Sequence, residues 1–249
     1  CIHCQNWHIS QVLPEEVRSY DVTAEEMVNE AVKNRAESIS FTYTEPTIYY
    51  EYMYDICKLA KAKGIKTVMV TSGWINPEPF RELCKYLTVA RIDLKGFTEE
   101  FYKKLANASL QPILQTIKIA KEEKVWLELI NLIIPTYNDN LDKIKEMCLW
   151  IKENLGPHVP LHFTRFYPQW KLTNLPPTPV ETLEKAREIA LQVGLHYVYI
   201  GNVPGHPGEN TYCPTCKKLL IQRVGFTVTT NNLNKGKCRF CGTVIPGIW

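Results

Sequence analysis

The sequence predicts an α/β fold: strands and helices alternating as a partial or full (β/α) TIM-like barrel, followed by a small metal-bound ribbon. Three observations predict it. Short β-branched or apolar runs alternate with amphipathic runs closed by glycine, the pattern of parallel strands joined by right-handed crossovers. Polar residues gather at the C-terminal end of strand after strand, where (β/α) barrels build their sites. Two Cys-x-x-Cys pairs, Cys213/Cys216 and Cys238/Cys241, flank a hairpin-like stretch near the end of the chain. The alternation alone also accommodates a doubly wound sheet, and it is the polar strand ends that favour the barrel. The 249 residues have room for one large domain and one small module. The expected boundaries are a barrel over residues 1–205, truncated at its N-terminus, and a four-cysteine ribbon over 206–249.

Each element has a local cause. Thr23-Ala-Glu-Glu26 is a capping box and opens a helix through Arg35. Ser38–Tyr43 alternates and reads as a strand. A helix from Ile48 to Lys63 closes at Gly64. Lys66–Thr71 is a strand of the buried type, and Ser72-Gly73 turns it. A helix over Pro77–Tyr86, strand Val89–Leu94, helices over Thr98–Leu105 and Gln111–Glu123, and strand Val125–Ile134 follow. Asn140 caps a helix that runs to Asn154, and Gly156-Pro157 ends it. Pro160–Phe166 is a strand. Thr178-Pro-Val-Glu181 reads as a second capping box, with proline at the first helical position. That helix closes at Gly194, and His196–Ile200 is the last strand of the series.

Composition excludes several classes. Hydrophobic residues make up 45% and charged residues 22%, as in an ordinary globular protein. No apolar run reaches the about 18 residues of a membrane span, and no signal peptide is visible, so a cytoplasmic location without a membrane partner is expected. The chain does not start with methionine, so it is expected to begin inside a longer protein. Nine cysteines, four of them in two C-terminal pairs, argue for metal in a reducing compartment rather than a disulfide framework. Cys57, Cys84 and Cys148 fall in helical segments and read as small buried hydrophobes.

The formal charge of +3 divides into +6 after Glu209, where there are six cations and no acid, and −3 for the rest. That face reads either as ordinary solvated surface or as a docking face for an acidic protein or nucleic acid. Four thiolates from Cys213, Cys216, Cys238 and Cys241 make a closed tetrahedral structural site. Zinc is the expected metal, and rubredoxin-type iron, which would imply an electron path, is the alternative. A module this small needs the metal to hold its fold.

The strand ends carry the candidate chemistry. Thr44-Glu45-Pro46 follows the first visible strand, and Ser72 the second. Asp93-Leu94-Lys95 ends the third, either as a strand-end salt bridge or as a pair that holds a carboxylate and a hydroxyl. Glu128 and Asn131 lie three apart on one strand and so face opposite sides. His162 and Arg165 do the same on the next. His162 reads as a core histidine, and Arg165 as a bidentate carboxylate anchor. At the start, Cys1-Ile-His-Cys4 taken alone is half a zinc site or a redox dithiol.

Cys4-Gln5-Asn6-Trp7 together with this strand pattern resembles the radical S-adenosylmethionine (SAM) family, whose members carry Cys-x3-Cys-x2-Cys in the loop after the first barrel strand. The resemblance implies that Cys1 and Cys4 are the second and third of those cysteines, the first lying upstream of the residues given. Three thiolates hold three irons of a [4Fe–4S] cluster, and SAM chelates the fourth. An external low-potential electron donor reduces the cluster, SAM is cleaved, and the 5′-deoxyadenosyl radical abstracts a hydrogen atom. The resemblance also implies a SAM-binding set of His3, Thr44, Glu45, Ser72, Asp93, Lys95, Asn131 and Arg165. His3 stands where the family often has an aromatic residue against adenine. Thr44 and Glu45 stand where it has Gly-Gly-Glu, of which only the acid and the following proline match. Ser72 lies in the turn that carries Asp-Thr-Asn-Gly in the glycyl-radical activases, with Val70 at the Asp position. Asp93-Leu94-Lys95 matches the Asp-Leu-Lys of those activases.

Gln5-Asn-Trp7, Phe163-Thr-Arg-Phe166, Pro176-Pro-Thr-Pro179, Gly201–Asn210 and Ile245–Trp249 resemble one subfamily over essentially the entire chain. It is the radical SAM enzyme of the AmmeMemoRadiSam system, a pyruvate formate-lyase activating enzyme homologue. The resemblance implies a radical SAM oxidoreductase whose partner is a glycyl radical enzyme or a Memo-like or AMMECR1-like protein. The alternative is a non-radical barrel scaffold whose basic zinc ribbon binds an acidic protein or, less expected, nucleic acid. A metal-dependent hydrolase finds no support, because the histidines lack ligand spacing.

Overall fold

A computed structural model describes residues 1–249, apart from the side chain of Pro14. Six strands form one parallel sheet: β1 (Ser38–Phe41), β2 (Lys66–Thr71), β3 (Val89–Asp93), β4 (Trp126–Ile133), β5 (Leu161–Arg165) and β6 (Val198–Gly201). Their order in the sheet is the order in the chain, β1-β2-β3-β4-β5-β6. A doubly wound sheet reverses its strand order at a switch point. This one does not, which decides between the two architectures the alternation left open.

The helices are α1 (Trp7–Ser10), α2 (Ala24–Lys33), α3 (Tyr50–Ala62), α4 (Pro77–Cys84), α5 (Glu99–Ala106), α6 (Leu110–Glu122), α7 (Leu141–Leu155) and α8 (Val180–Val193). The chain divides into two compact units. One comprises Cys1–Asp93, Leu105–Leu127 and Gln169–Thr173; the other comprises Leu94–Lys104, Glu128–Pro168 and Asn174–Trp249.

In the first unit the capping box of α2 is complete: the Thr23 hydroxyl accepts from the Glu26 amide and the Glu26 carboxylate accepts from the Thr23 amide. α3 buries Met53, Ile56, Cys57 and Ala60, the i, i+3, i+4, i+7 stripe of an amphipathic helix. Each large side chain fully buried this way stabilises the fold by about 2 kcal/mol. Strand alternation is regular. Thr67, Met69 and Thr71 of β2 and Ala90 and Ile92 of β3 are buried, while the residues between them are only half-buried.

The second unit repeats this. Leu161 and Phe163 of β5 and Val198 and Ile200 of β6 are buried, and His162, Thr164, Tyr199 and Gly201 are half-buried. Every one of these strands thus has a packed face and a half-open face. The Asn140 side chain caps α7 by accepting from the Lys143 amide, as the sequence predicts. The second predicted capping box does not form. Pro179 occupies the N-cap of α8, and the buried Thr178 hydroxyl donates to the Ile133 carbonyl at 2.6 Å and accepts from the Phe166 amide at 2.9 Å. Stitching the ends of β4 and β5 satisfies two buried backbone groups, which outweighs capping a helix that starts on proline.

The ribbon belongs to the second unit. β7 (Thr211–Tyr212), β8 (Leu219–Val224) and β9 (Thr227–Asn231) form an antiparallel sheet, and β10 (Leu233–Asn234) pairs with β11 (Lys237–Cys238). Leu220, Ile221 and Ile245 pack with Cys213 and Cys238 on Tyr197, at the start of β6. Trp249 folds back, its indole N–H donating to the Ile245 carbonyl at 2.9 Å. Gly236 lies so close beneath this ring that an added Cβ would meet it at 2.7 Å. No helix is long and apolar enough to cross a membrane.

Candidate functional site

The N-terminal loop is held from both sides. The Ile2 amide donates to the Leu105 carbonyl at 2.9 Å, and the Ile2 carbonyl accepts from the Lys171 amide at 3.0 Å. Trp7 stacks on Trp170 with ring centroids 5.3 Å apart, and its indole N–H donates to Gln169 at 3.3 Å. These contacts fix the loop without covering its thiols. Cys1 is exposed and Cys4 is half-buried, its sulfur 3.4 Å from the Ser10 hydroxyl. His3, between them, is buried. Among the described residues no third His, Cys, Asp or Glu completes a metal-binding group with this pair. Cys57, Cys84 and Cys148 are by contrast enclosed, and burial pushes each thiol up to about 12, so they stay protonated and inert.

Glu45 sits just beyond β1 and ties that strand end to the next. One carboxylate oxygen accepts from the Thr71 hydroxyl at 2.6 Å and the Thr47 hydroxyl at 2.8 Å; the other accepts from the Ser72 amide at 2.8 Å. Thr44 and Ser72 are therefore held together through Glu45, at the C-terminal ends of adjacent strands. Tyr43 has φ 44°, the left-handed region that glycine enters freely. The backbone thus keeps a glycine-like turn although the side chains are Tyr and Thr. Gly73 has φ 78° and lies so close to Ile92 that a Cβ would come within 2.7 Å of it. Asp93 ends β3 half-buried; Leu94 after it is buried and Lys95 is half-buried.

In the second unit, Asn131 is 2% exposed and faces the helix layer: its amide donates to the Leu94 carbonyl at 2.9 Å and reaches Met147 of α7 at 3.5 Å. Its side-chain oxygen has no partner. Glu128, on the opposite face of β4, is the one on the half-open side, where its carboxylate lies 3.2 Å from His162 Nε2. His162 stacks on Tyr199, ring centroids 4.8 Å apart, and the Tyr199 hydroxyl lies 3.0 Å from that of Thr211. This line of Glu128, His162 and Tyr199 was not singled out from sequence, where His162 reads as a core residue. Strand parity was the available signal: Ile130 pairs with His162, so Glu128 and His162 share a face. Arg165 donates from Nε to the Thr178 carbonyl at 2.8 Å and stands 5.2 Å from the Tyr167 ring centroid, which holds its guanidinium in place at the end of β5.

The ribbon thiols converge. Cys213 and Cys241 sulfurs are 3.6 Å apart, Cys216 and Cys238 3.7 Å, and all four lie within 4.8 Å of one another. A tetrahedron with metal–sulfur bonds of about 2.3 Å has edges of this size, so the donor set fits zinc or iron. Each knuckle turns through a positive φ, at Lys217 (60°) and Gly242 (74°). Hydrogen bonds from Thr243 lower the Cys241 thiol to about 6, while desolvation and the three neighbouring sulfurs raise Cys216 to about 11, so the first thiolate of the set forms at Cys241.

The sequence profile of the radical SAM superfamily matches residues 1–151. The uncharacterized protein MJ0808 of Methanocaldococcus jannaschii is 49% identical over 247 residues, 98% of this chain and 73% of that protein. The pyruvate formate-lyase-activating enzyme of Clostridium pasteurianum is 23% identical over 163 residues, 61% of this chain and 64% of the relative. A crystal structure of a domain of pyruvate-formate lyase-activating enzyme from Bacteroides vulgatus superposes with a TM-score of 0.59 at 19% identity, over 67% of this chain and all of that one. That likeness shows a shared fold. The chain belongs to the radical SAM superfamily, enzymes that use a [4Fe–4S] cluster and SAM, and is related within it to the activases of glycyl radical enzymes.

Proposed function

We propose that this chain makes a 5′-deoxyadenosyl radical from SAM and uses it to abstract a hydrogen atom from a partner protein, which leaves 5′-deoxyadenosine and a radical on the partner, in the manner of a glycyl-radical activase. The observation that supports this most is the contrast among its cysteines: outside the ribbon, only Cys1 and Cys4 are accessible, on a loop pinned at Ile2. They would supply two thiolates of the cluster, with a third from upstream. Bound cluster and SAM supply one-electron cleavage of the SAM carbon–sulfur bond. The chain's own residues orient: Glu45, already bonded to Ser72, offers a carboxylate edge to an amino group, and Arg165 offers guanidinium N–H groups to a carboxylate. His3, Thr44, Asp93 and Lys95 complete the proposed SAM set. Asn131 keeps an unpaired buried oxygen, but on the helix-covered face, so Glu128 and His162 are the better-placed polar groups of β4 and β5.

A protein substrate is supported by what surrounds Glu45 and Ser72. Tyr43 is 65% exposed, Ile48 76% and Trp74 52%. Large apolar side chains displayed together at strand ends are typical of an interaction surface. The subfamily resemblance points to a Memo-like or AMMECR1-like partner, and the activase relatives point to a glycyl radical enzyme. The test is anaerobic reconstitution with iron and sulfide of a chain extended upstream to a third cysteine, then dithionite, SAM and an assay for 5′-deoxyadenosine. Product from that protein and none from its Cys4→Ala variant supports the reading. No product from fully loaded protein, with or without candidate partners, overturns it.

A further inference from the structure

A cavity of about 470 Å³ opens between the C-terminal half of α8, the N-terminal end of β6 and the first knuckle of the ribbon. Small-molecule sites typically occupy about 300–1,000 Å³, so this one is large enough for a whole ligand. Arg187, His196 and Lys217 line it, and among the described residues no acidic side chain does. Arg187 reaches in from α8, anchored by an Nε hydrogen bond to the Val198 carbonyl at 2.9 Å. Its two terminal nitrogens have no carboxylate partner among the described residues, although burial disfavours its charge. An unpaired cation in such a place costs free energy. Tyr197, 5% exposed, also lines the cavity, but its unpartnered hydroxyl is enclosed by the protein and does not open into it. The walls between these groups are the rings of Tyr197, Tyr199 and Tyr212 and the apolar Leu195.

We propose that this cavity binds a small anion carried on a flat ring, with Arg187 holding the carboxylate or phosphate and tyrosine rings flanking its body. The planar fork of arginine pairs with either headgroup through parallel hydrogen bonds, and a bare anion would leave most of the volume empty. The competing role for these cations is to neutralise the tetrathiolate metal centre of the ribbon, because Cys213 also borders the cavity.

The experiment titrates the full chain, with metal in its ribbon, by calorimetry against three probes: phenyl phosphate, benzoate and inorganic phosphate. The expected result is saturable one-to-one binding of phenyl phosphate or benzoate at millimolar concentration or below. Which of the two binds more tightly identifies the headgroup, and inorganic phosphate alone binds more weakly than either. Arg187→Gln weakens binding about tenfold or more, the effect of losing a charge-assisted hydrogen bond. Arg187→Lys, which keeps the charge but loses the planar fork, weakens it severalfold. That second variant keeps the test intact if Arg187→Gln folds poorly. No saturable binding of any probe overturns the proposal. So does binding that both variants leave unchanged, or an Arg187→Gln protein that loses its ribbon metal while the parent binds no probe.

Discussion

The same Cys-x-x-Cys spacing is used twice in opposite ways. In the ribbon, two pairs turn toward each other on knuckles with positive-φ residues, and four sulfurs meet within 4.8 Å. At the N-terminus, one pair stands on a pinned loop with Cys1 exposed and Cys4 half-buried, and no further ligand converges on it among the described residues. A closed set of four thiolates saturates a metal and makes it structural; an incomplete set leaves room for chemistry. The motif is therefore silent about its role until the fold supplies, or withholds, a second pair.

The contrast between the two cysteine pairs can be tested by substitution. The largest effect is expected from Cys4→Ala: 5′-deoxyadenosine formation falls to background while the ribbon keeps one metal per chain, measured by elemental analysis of the same sample. Next, Cys238→Ser opens the closed site. Structural zinc contributes about 10–16 kcal/mol in small zinc modules. Loss of metal should therefore unfold the ribbon, seen as lost amide protection over 211–249, while the sheet strands stay protected. If the sheet unfolds with it, the ribbon is not an independently metal-held module. Glu45→Gln puts an amide where Thr71, Thr47 and Ser72 all donate, and should lower stability by about 2 kcal/mol, measured by urea unfolding. Gly73→Ala should cost about 1–3 kcal/mol through its positive φ and the contact with Ile92. The smallest effect is Thr23→Ala, about 1 kcal/mol for a lost cap, with 5′-deoxyadenosine formation unchanged.

Local features were legible where their partners are close in sequence. Thr23 and Glu26 lie within one turn, and their capping box forms as expected; so does the Asn140 cap of α7. Thr178 carries a similar signature, yet its hydroxyl bonds to Ile133 and Phe166, groups remote in the chain that no window of sequence could weigh. Strand existence was readable from β-branched runs, with ends differing by a residue or two: the last strand begins at Val198 rather than His196. Glu128 and Asn131 show the same limit in the candidate site. Their separation says only that they face opposite sides; that the half-open side is Glu128's depended on α7 covering the other, with Met147 against Asn131.

The alternation of strands and helices, the helix ends at Gly64 and Gly194, the four-cysteine ribbon and the family were all readable from the chain alone. Those properties rest on local backbone preference, hydrophobic period and ligand spacing, which are written in consecutive residues. Packing of the whole chain settled the sequential strand order, the clamp of Glu45 on Thr71 and Ser72, the pairing of Glu128 with His162, and the cavity that Arg187 enters. These depend on which distant groups meet once the core excludes water, and burial is a property of the packed chain rather than of any stretch of it.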